Sequence, residues 1–129
     1  MAIGTDAPDL PLPFISEAFL RLEEGIDAVF GPAEDGGYYL VALRGESRGL
    51  FRGIPWSTPQ VLAASRQRAR EAGLLTALLP PWYDVDGYAD LFRPGLLDPG
   101  NDAPLTRGFL ANRGIGVPLP DARRCAGKN

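Results

Sequence analysis

The chain has 129 residues, the size of one domain, and its 45% hydrophobic and 22% charged residues are the balance of a folded globular protein, not of a disordered or fibrous one. With 13 basic and 16 acidic residues the net charge is −3, too small to draw the chain to a nucleic acid polymer or an anionic membrane. The lack of any histidine excludes Ser-His-Asp triads, Cys-His dyads and imidazole metal sites, so carboxylates, hydroxyls, backbone amides or a bound ion must carry whatever chemistry there is.

In chain order, residues 1–8 read as the end of a buried strand entering a turn at Asp6. From Pro13, Ile15, Ala18, Phe19 and Leu22 fall at i, i+3, i+4 and i+7, which predicts an amphipathic helix closed by Gly25. Residues 26–30 predict a second strand, and strand, helix and strand in this space imply a parallel crossover that puts Asp6 and the Glu34-Asp35-Gly36-Gly37 loop on one sheet edge. Residues 38–44 predict a third strand, apolar enough to be buried on both faces. Thr58 as N-cap and Pro59 as first residue predict a helix to Ala72, with Val61, Leu62, Ala69 and Ala72 inward and Arg66 and Arg70 on a solvated face. A fourth strand is expected over 74–79, a short helix after Asp84 and Asp86, and another over 104–112. The domain is expected to span 1–113, with 114–129 a loosely ordered tail.

No apolar run reaches the roughly 20 residues of a membrane span, and the start lacks a signal-peptide pattern. Cys125 has no partner for an internal disulfide. Together these lead us to expect a cytoplasmic protein with no membrane span.

Three acidic positions fall where strands leave the sheet: Asp6, the Glu34/Asp35 pair and the Asp84/Asp86 pair. Spacing alone also allows the bland reading of an acidic glycine turn and an aspartate helix cap. Their convergence on one edge favours a hard cation, Mg²⁺ or Mn²⁺, which takes one or two carboxylates and completes its shell with phosphate oxygens and water. Group transfer from an activated nucleotide is the matching reaction class.

Gly4-Thr5-Asp6-Ala7-Pro8, Gly31-Pro32-Ala33-Glu34-Asp35-Gly36-Gly37-Tyr38-Tyr39-Leu40, Ile54-Pro55-Trp56-Ser57-Thr58, Tyr83-Asp84-Val85-Asp86 and Thr106-Arg107-Gly108-Phe109-Leu110 occur in this order. Across about Ile3 to Asn112 the chain thereby resembles a bacterial glycosyltransferase-A-like family of the nucleotide-diphospho-sugar transferase superfamily, some of whose members are named for arsenosugar biosynthesis. The resemblance implies a three-layer α/β fold with a mostly parallel mixed sheet, of which this chain looks like the C-terminal part, lacking the strands and glycine-bearing loop that bind the nucleotide. It implies a metal-dependent transferase acting on a nucleotide sugar or nucleotide and a small-molecule acceptor, with this chain a fragment whose activity needs the absent N-terminal half. Asp6 and Asp86 match metal positions, Asp84 being the weaker match. Asp35 or Glu34 matches a general base, and Gly36, Gly37, Trp56 and Ser57 match substrate-binding positions. Gly87-Tyr88 departs from the Thr-Pro usual after the late aspartate. The alternatives are a nucleotidyltransferase using a nucleoside triphosphate, and a non-catalytic remnant that binds a partner or forms a homo-oligomer through an exposed sheet edge.

Overall fold

A computed structural model describes residues 1–46 and 49–116. Most of the expected tail, from residue 117 onward, lies outside the described residues. Four strands, β1 (Ala2–Ile3), β2 (Ala28–Pro32), β3 (Tyr38–Leu43) and β4 (Thr76–Leu78), form one mixed sheet in the order β1-β3-β2-β4. β3 is antiparallel to both its neighbours, and β2 is parallel to β4, so β1, β2 and β4 run in the same direction. The crossover from β1 to β2 therefore joins parallel strands, as expected, but β3 is inserted between them.

Helix α1 (Leu12–Glu23) follows β1, α2 (Val61–Glu71) precedes β4, and a 3-10 turn (Tyr88–Phe92), α3 (Pro94–Leu97) and α4 (Pro104–Asn112) complete the chain. Alternation along β2 sets the layers. Val29 joins a core cluster with Ala18, Phe14, Ile15 and Leu22 of α1, whereas Ala28 and Phe30 join one with Ala69 and Leu62 of α2. Successive strand residues point to opposite faces, so the two helices cover opposite sides of the sheet in a three-layer arrangement. No helix among the described residues is long and apolar enough to cross a membrane.

Several local expectations shift. Phe19 is half exposed, and Phe14 takes the inner position, its ring stacked on Tyr39 at 6.3 Å and edge-on to Trp82 at 5.6 Å. At about 100° per residue, Phe14, Ile15, Ala18 and Leu22 form one stripe, and Phe19 falls at its margin. α2 begins at Val61 without a side-chain cap. Thr58 instead accepts from the Gln60 amide at 3.3 Å and donates to the Pro55 carbonyl at 2.6 Å, so its hydroxyl stabilises the turn before the helix. Ser65, not Ala72, continues the buried row of Val61 and Ala69. β1 is exposed, not buried, because it is a two-residue sheet edge.

Two contacts fix how β3 and the chain after β4 sit. The Tyr39 ring lies over Gly31, where an added Cβ would meet ring atoms at 2.3 to 2.8 Å. Its hydroxyl donates to the Pro80 carbonyl at 2.9 Å, and burial pushes the phenol pKa up to about 12. Asp9, only 3% exposed, accepts hydrogen bonds from the Trp82 indole at 3.3 Å and from the Tyr83 hydroxyl. This ties the segment before α1 to the segment leaving β4, and leaves a buried carboxylate with two donors that it cannot abandon cheaply.

Gly31→Ala is expected to lose about 2 kcal/mol of unfolding free energy through overpacking against Tyr39, measured by urea denaturation. Asp9→Ala should cost about 3 kcal/mol in the same assay, since it leaves the Trp82 and Tyr83 donors unpaired. Parent-like stability of either variant would contradict the contact assigned to it.

Candidate functional site

The parallel strands deliver three chain segments to one edge. After β1, the Gly4 amide donates to the Tyr39 carbonyl at 2.8 Å, and the Asp6 carbonyl accepts from the Val85 amide at 2.7 Å. Beyond β2 and β4 the parallel pairing continues as an Ala33–Trp82 bridge, and the Glu34 amide donates to the Trp82 carbonyl at 3.1 Å. The turn after β1, the loop after β2 and the segment after β4 are thus stitched together by backbone hydrogen bonds. The site's position owes nothing to side-chain flexibility.

A cleft of about 630 Å³ opens at this edge. It is lined by the carboxylates Asp6, Asp35 and Asp84, by Tyr38, and by Trp56 and Ser57 from the turn that leads into α2. This is the C-terminal edge of the parallel strands, where ligands bind in open α/β sheets. Gly37 also lines it, whereas Gly36 shapes the loop from beneath. Gly36 has φ +91°, its carbonyl accepts from the Leu62 amide at 3.0 Å, and an added Cβ would lie 2.2 Å from the Pro59 carbonyl oxygen. Only glycine satisfies both that backbone and that contact.

The two carboxylates of this loop are held differently. Asp35 accepts from the Gly37 amide at 2.8 Å in a tight Asx turn and remains exposed on the cleft. Glu34 is engaged by Arg93, whose guanidinium reaches its two oxygens at 3.3 and 2.7 Å. Arg93 also contacts Asp90 at 3.5 Å and lies over the Tyr83 ring at 4.8 Å. Asp86 is exposed and absent from the cleft lining, while Asp84, the weaker sequence match, lines it. The amides of Asp86 and Gly87 both donate to Asp90, at 3.2 and 2.9 Å, which turns the chain into the 3-10 segment.

Asp84 carries the electrostatic consequence of this convergence. Burial, followed by the negative charges of Asp6, Asp35, Asp86 and Glu34, raises its pKa from 3.8 to about 6. Among the described residues no three His, Cys, Asp or Glu side chains are grouped so that together they could hold a metal ion. The donor set is all carboxylate oxygen and carries unbalanced negative charge. It therefore fits a cation bound through one or two carboxylates and open elsewhere to phosphate and water. Reasoning from sequence passed over Tyr38 and Arg93: Tyr38 reads as an ordinary strand aromatic, and no local signal pairs Arg93 with a loop 59 residues away.

The profile of a family described as an uncharacterized protein conserved in bacteria (DUF2064) matches residues 1–58, which include Asp6 and Asp35 but end before Asp84. The chain matches no curated protein. Among solved structures it is similar to one from Desulfovibrio desulfuricans G20, described as a candidate nucleotide-diphospho-sugar transferase, with 31% identity and a TM-score of 0.73. The match covers 87% of this chain and 50% of that one, so the chain spans about half the length of this relative. With its three layers and mixed sheet, the chain has the nucleotide-diphospho-sugar transferase fold.

Proposed function

We propose that the chain belongs to a metal-dependent transferase that uses a nucleotide-activated sugar as donor. The observation that carries this reading is the arrival of Asp6, Asp35 and Asp84, from three separate segments, in one cleft at the C-terminal edge of the parallel strands. The likeness to a protein described as a candidate nucleotide-diphospho-sugar transferase supports the donor class.

In this reading Asp6 and Asp84 hold Mg²⁺ or Mn²⁺, with Asp86 adding negative charge from outside the cleft. The ion would neutralise the leaving nucleoside diphosphate. Asp35 acts as general base, accepting the proton of an acceptor hydroxyl, since it faces the cleft while Glu34 is occupied by Arg93. The Glu34–Arg93 pair then holds the loop in place. Gly36 and Gly37 keep the loop low enough for the acceptor to approach.

Calorimetric titration with Mn²⁺ and a panel of nucleotide sugars and nucleoside triphosphates tests the reading. Mn²⁺ binding is expected, and Asp6→Ala should abolish it while keeping the thermal unfolding of the parent. Equal binding by the variant would remove Asp6 from the site, and a response to triphosphates alone would replace sugar transfer by nucleotidyl transfer.

The raised pKa of Asp84 adds a pH signature. A carboxylate whose folded pKa lies above its ordinary 3.8 favours the folded state most when protonated, so stability declines as pH rises from about 4 to 6 and is level above. In EDTA, Asp84→Asn should accordingly match the parent near pH 4 and exceed it at pH 7.5 in urea unfolding. Mn²⁺ affinity of the parent should rise by up to about tenfold per pH unit below 6 and then level off. A variant that gains nothing at pH 7.5 would show that Asp84 does not bear the charge of its neighbours.

A further inference from the structure

The side of the cleft formed by the turn before α2 has a feature that metal and diphosphate binding do not require. Trp56 is 54% exposed, an unusual condition for the largest apolar side chain, yet it is not loosely held. Its indole meets Tyr38 edge-on at 6.5 Å and Phe51 at 6.3 Å, and Tyr38 in turn packs 5.5 Å from Phe30, which is fully buried. A chain of rings thus anchors the exposed indole to the core.

The backbone is set with the same firmness. The Trp56 amide donates to the Ile54 carbonyl at 2.9 Å, and Thr58 closes the turn through the Pro55 carbonyl at 2.6 Å. Ser57 adopts φ +61°, in the left-handed region that costs a residue with a Cβ about 1 kcal/mol. It is the one described non-glycine residue with positive φ. Such a conformation persists where the surrounding structure holds it, as the hydrogen bonds of this turn do, and residues of this kind cluster at ligand sites; here Trp56 and Ser57 both line the cleft.

The chemistry of the cleft selects what the indole would receive. Among the described residues no lysine or arginine lines it, and its charged groups are all carboxylates. A phosphate-bearing group therefore needs a cation to enter, whereas a neutral ligand rich in hydroxyl donors does not. A flat apolar surface beside hydrogen-bond acceptors suits a ring with an apolar C–H face and a rim of hydroxyls. We propose that Trp56 is the stacking platform for a neutral sugar ring on the acceptor side, the ring's C–H face lying on the indole and its hydroxyls donating to Asp35. The proposal rests on the transferase reading for the term acceptor, but the binding itself requires neither metal nor donor.

The experiment is a titration of the full chain in EDTA with neutral monosaccharides and methyl glycosides, and separately with uncharged nucleosides, followed by NMR of the indole N–H signals. The chain has two tryptophans, and Trp56→Phe assigns the signals. Sugars are expected to shift the Trp56 signal and leave that of Trp82 in place. Trp56→Ala should weaken sugar binding, followed then by the backbone amide signals of the loop at Asp35, by about tenfold. Trp56→Phe should retain part of the affinity. A shift with nucleosides and none with sugars would make the indole a base platform and overturn the proposal. So would an indole that responds to neither, or a folded Trp56→Ala that binds the sugars as tightly as the parent does. Failure of the transferase reading shows separately, as Mn²⁺ binding that is missing from the parent or survives in Asp6→Ala.

Discussion

The packing of Tyr39 over Gly31 is the contact on which the rest of this structure depends. The ring fills the space a side chain at residue 31 would take, at the point in the middle of the sheet where the β2–β3 register shifts between Gly31 and Pro32. The Tyr39 hydroxyl then reaches past β2 to the Pro80 carbonyl and ties down the chain as it leaves β4. With β3 held there, β1 pairs on its far side and β4 pairs on the far side of β2. The ends of three parallel strands are thereby brought to a common edge. Asp9 secures the same region from the other direction, through Trp82 and Tyr83.

The site that results is electrostatically unbalanced, and the imbalance is selective. Arg93 occupies Glu34, and the Gly37 amide accommodates Asp35, but among the described residues nothing comparable is drawn to Asp84. Asp84 is partly buried and feels the negative charge of four other carboxylates, so it binds a proton more readily than an ordinary aspartate. Replacing that proton by a divalent cation would relieve the same repulsion, which is why the arrangement supports the metal-dependent reading. A surface ion pair such as Glu34–Arg93 contributes little to stability. Its consequence is positional, since it fixes the loop that carries Asp35.

The other side of the cleft is built by backbone, not charge. The turn from Ile54 to Gln60 is closed by its own hydrogen bonds and by the close approach of Pro59 to Gly36. The strained Ser57 and the half-exposed Trp56 sit on that rigid base. The carboxylates thus reach the cleft on strand exits, Tyr38 from the start of β3 and Trp56 from the lead-in to α2.

Much of this was legible in the residues. The helical spacing of Ile15, Ala18 and Leu22, the apolar run after Gly37, and the glycine pair next to two carboxylates each follow from local chemistry, and the order of strand, helix and strand is enough to place Asp6 and Asp35 on one edge. What periodicity could not supply is anything that depends on a partner distant in sequence. Phe14 displaces Phe19 from the core because Tyr39 and Trp82 stand opposite it. Ser65 is buried because Val61 and Ala69 carry it inward. Glu34 is distinguished from Asp35 by Arg93, and Asp84 from Asp86 by the direction each takes after a Trp82–Ala33 pairing made across the sheet. The sequence by itself determined which residues carry charge, where the chain turns and which stretches alternate, because those are properties of near neighbours. Only the tertiary structure decided which carboxylate faces the cleft and which is held aside, because that choice is made by contacts between segments tens of residues apart.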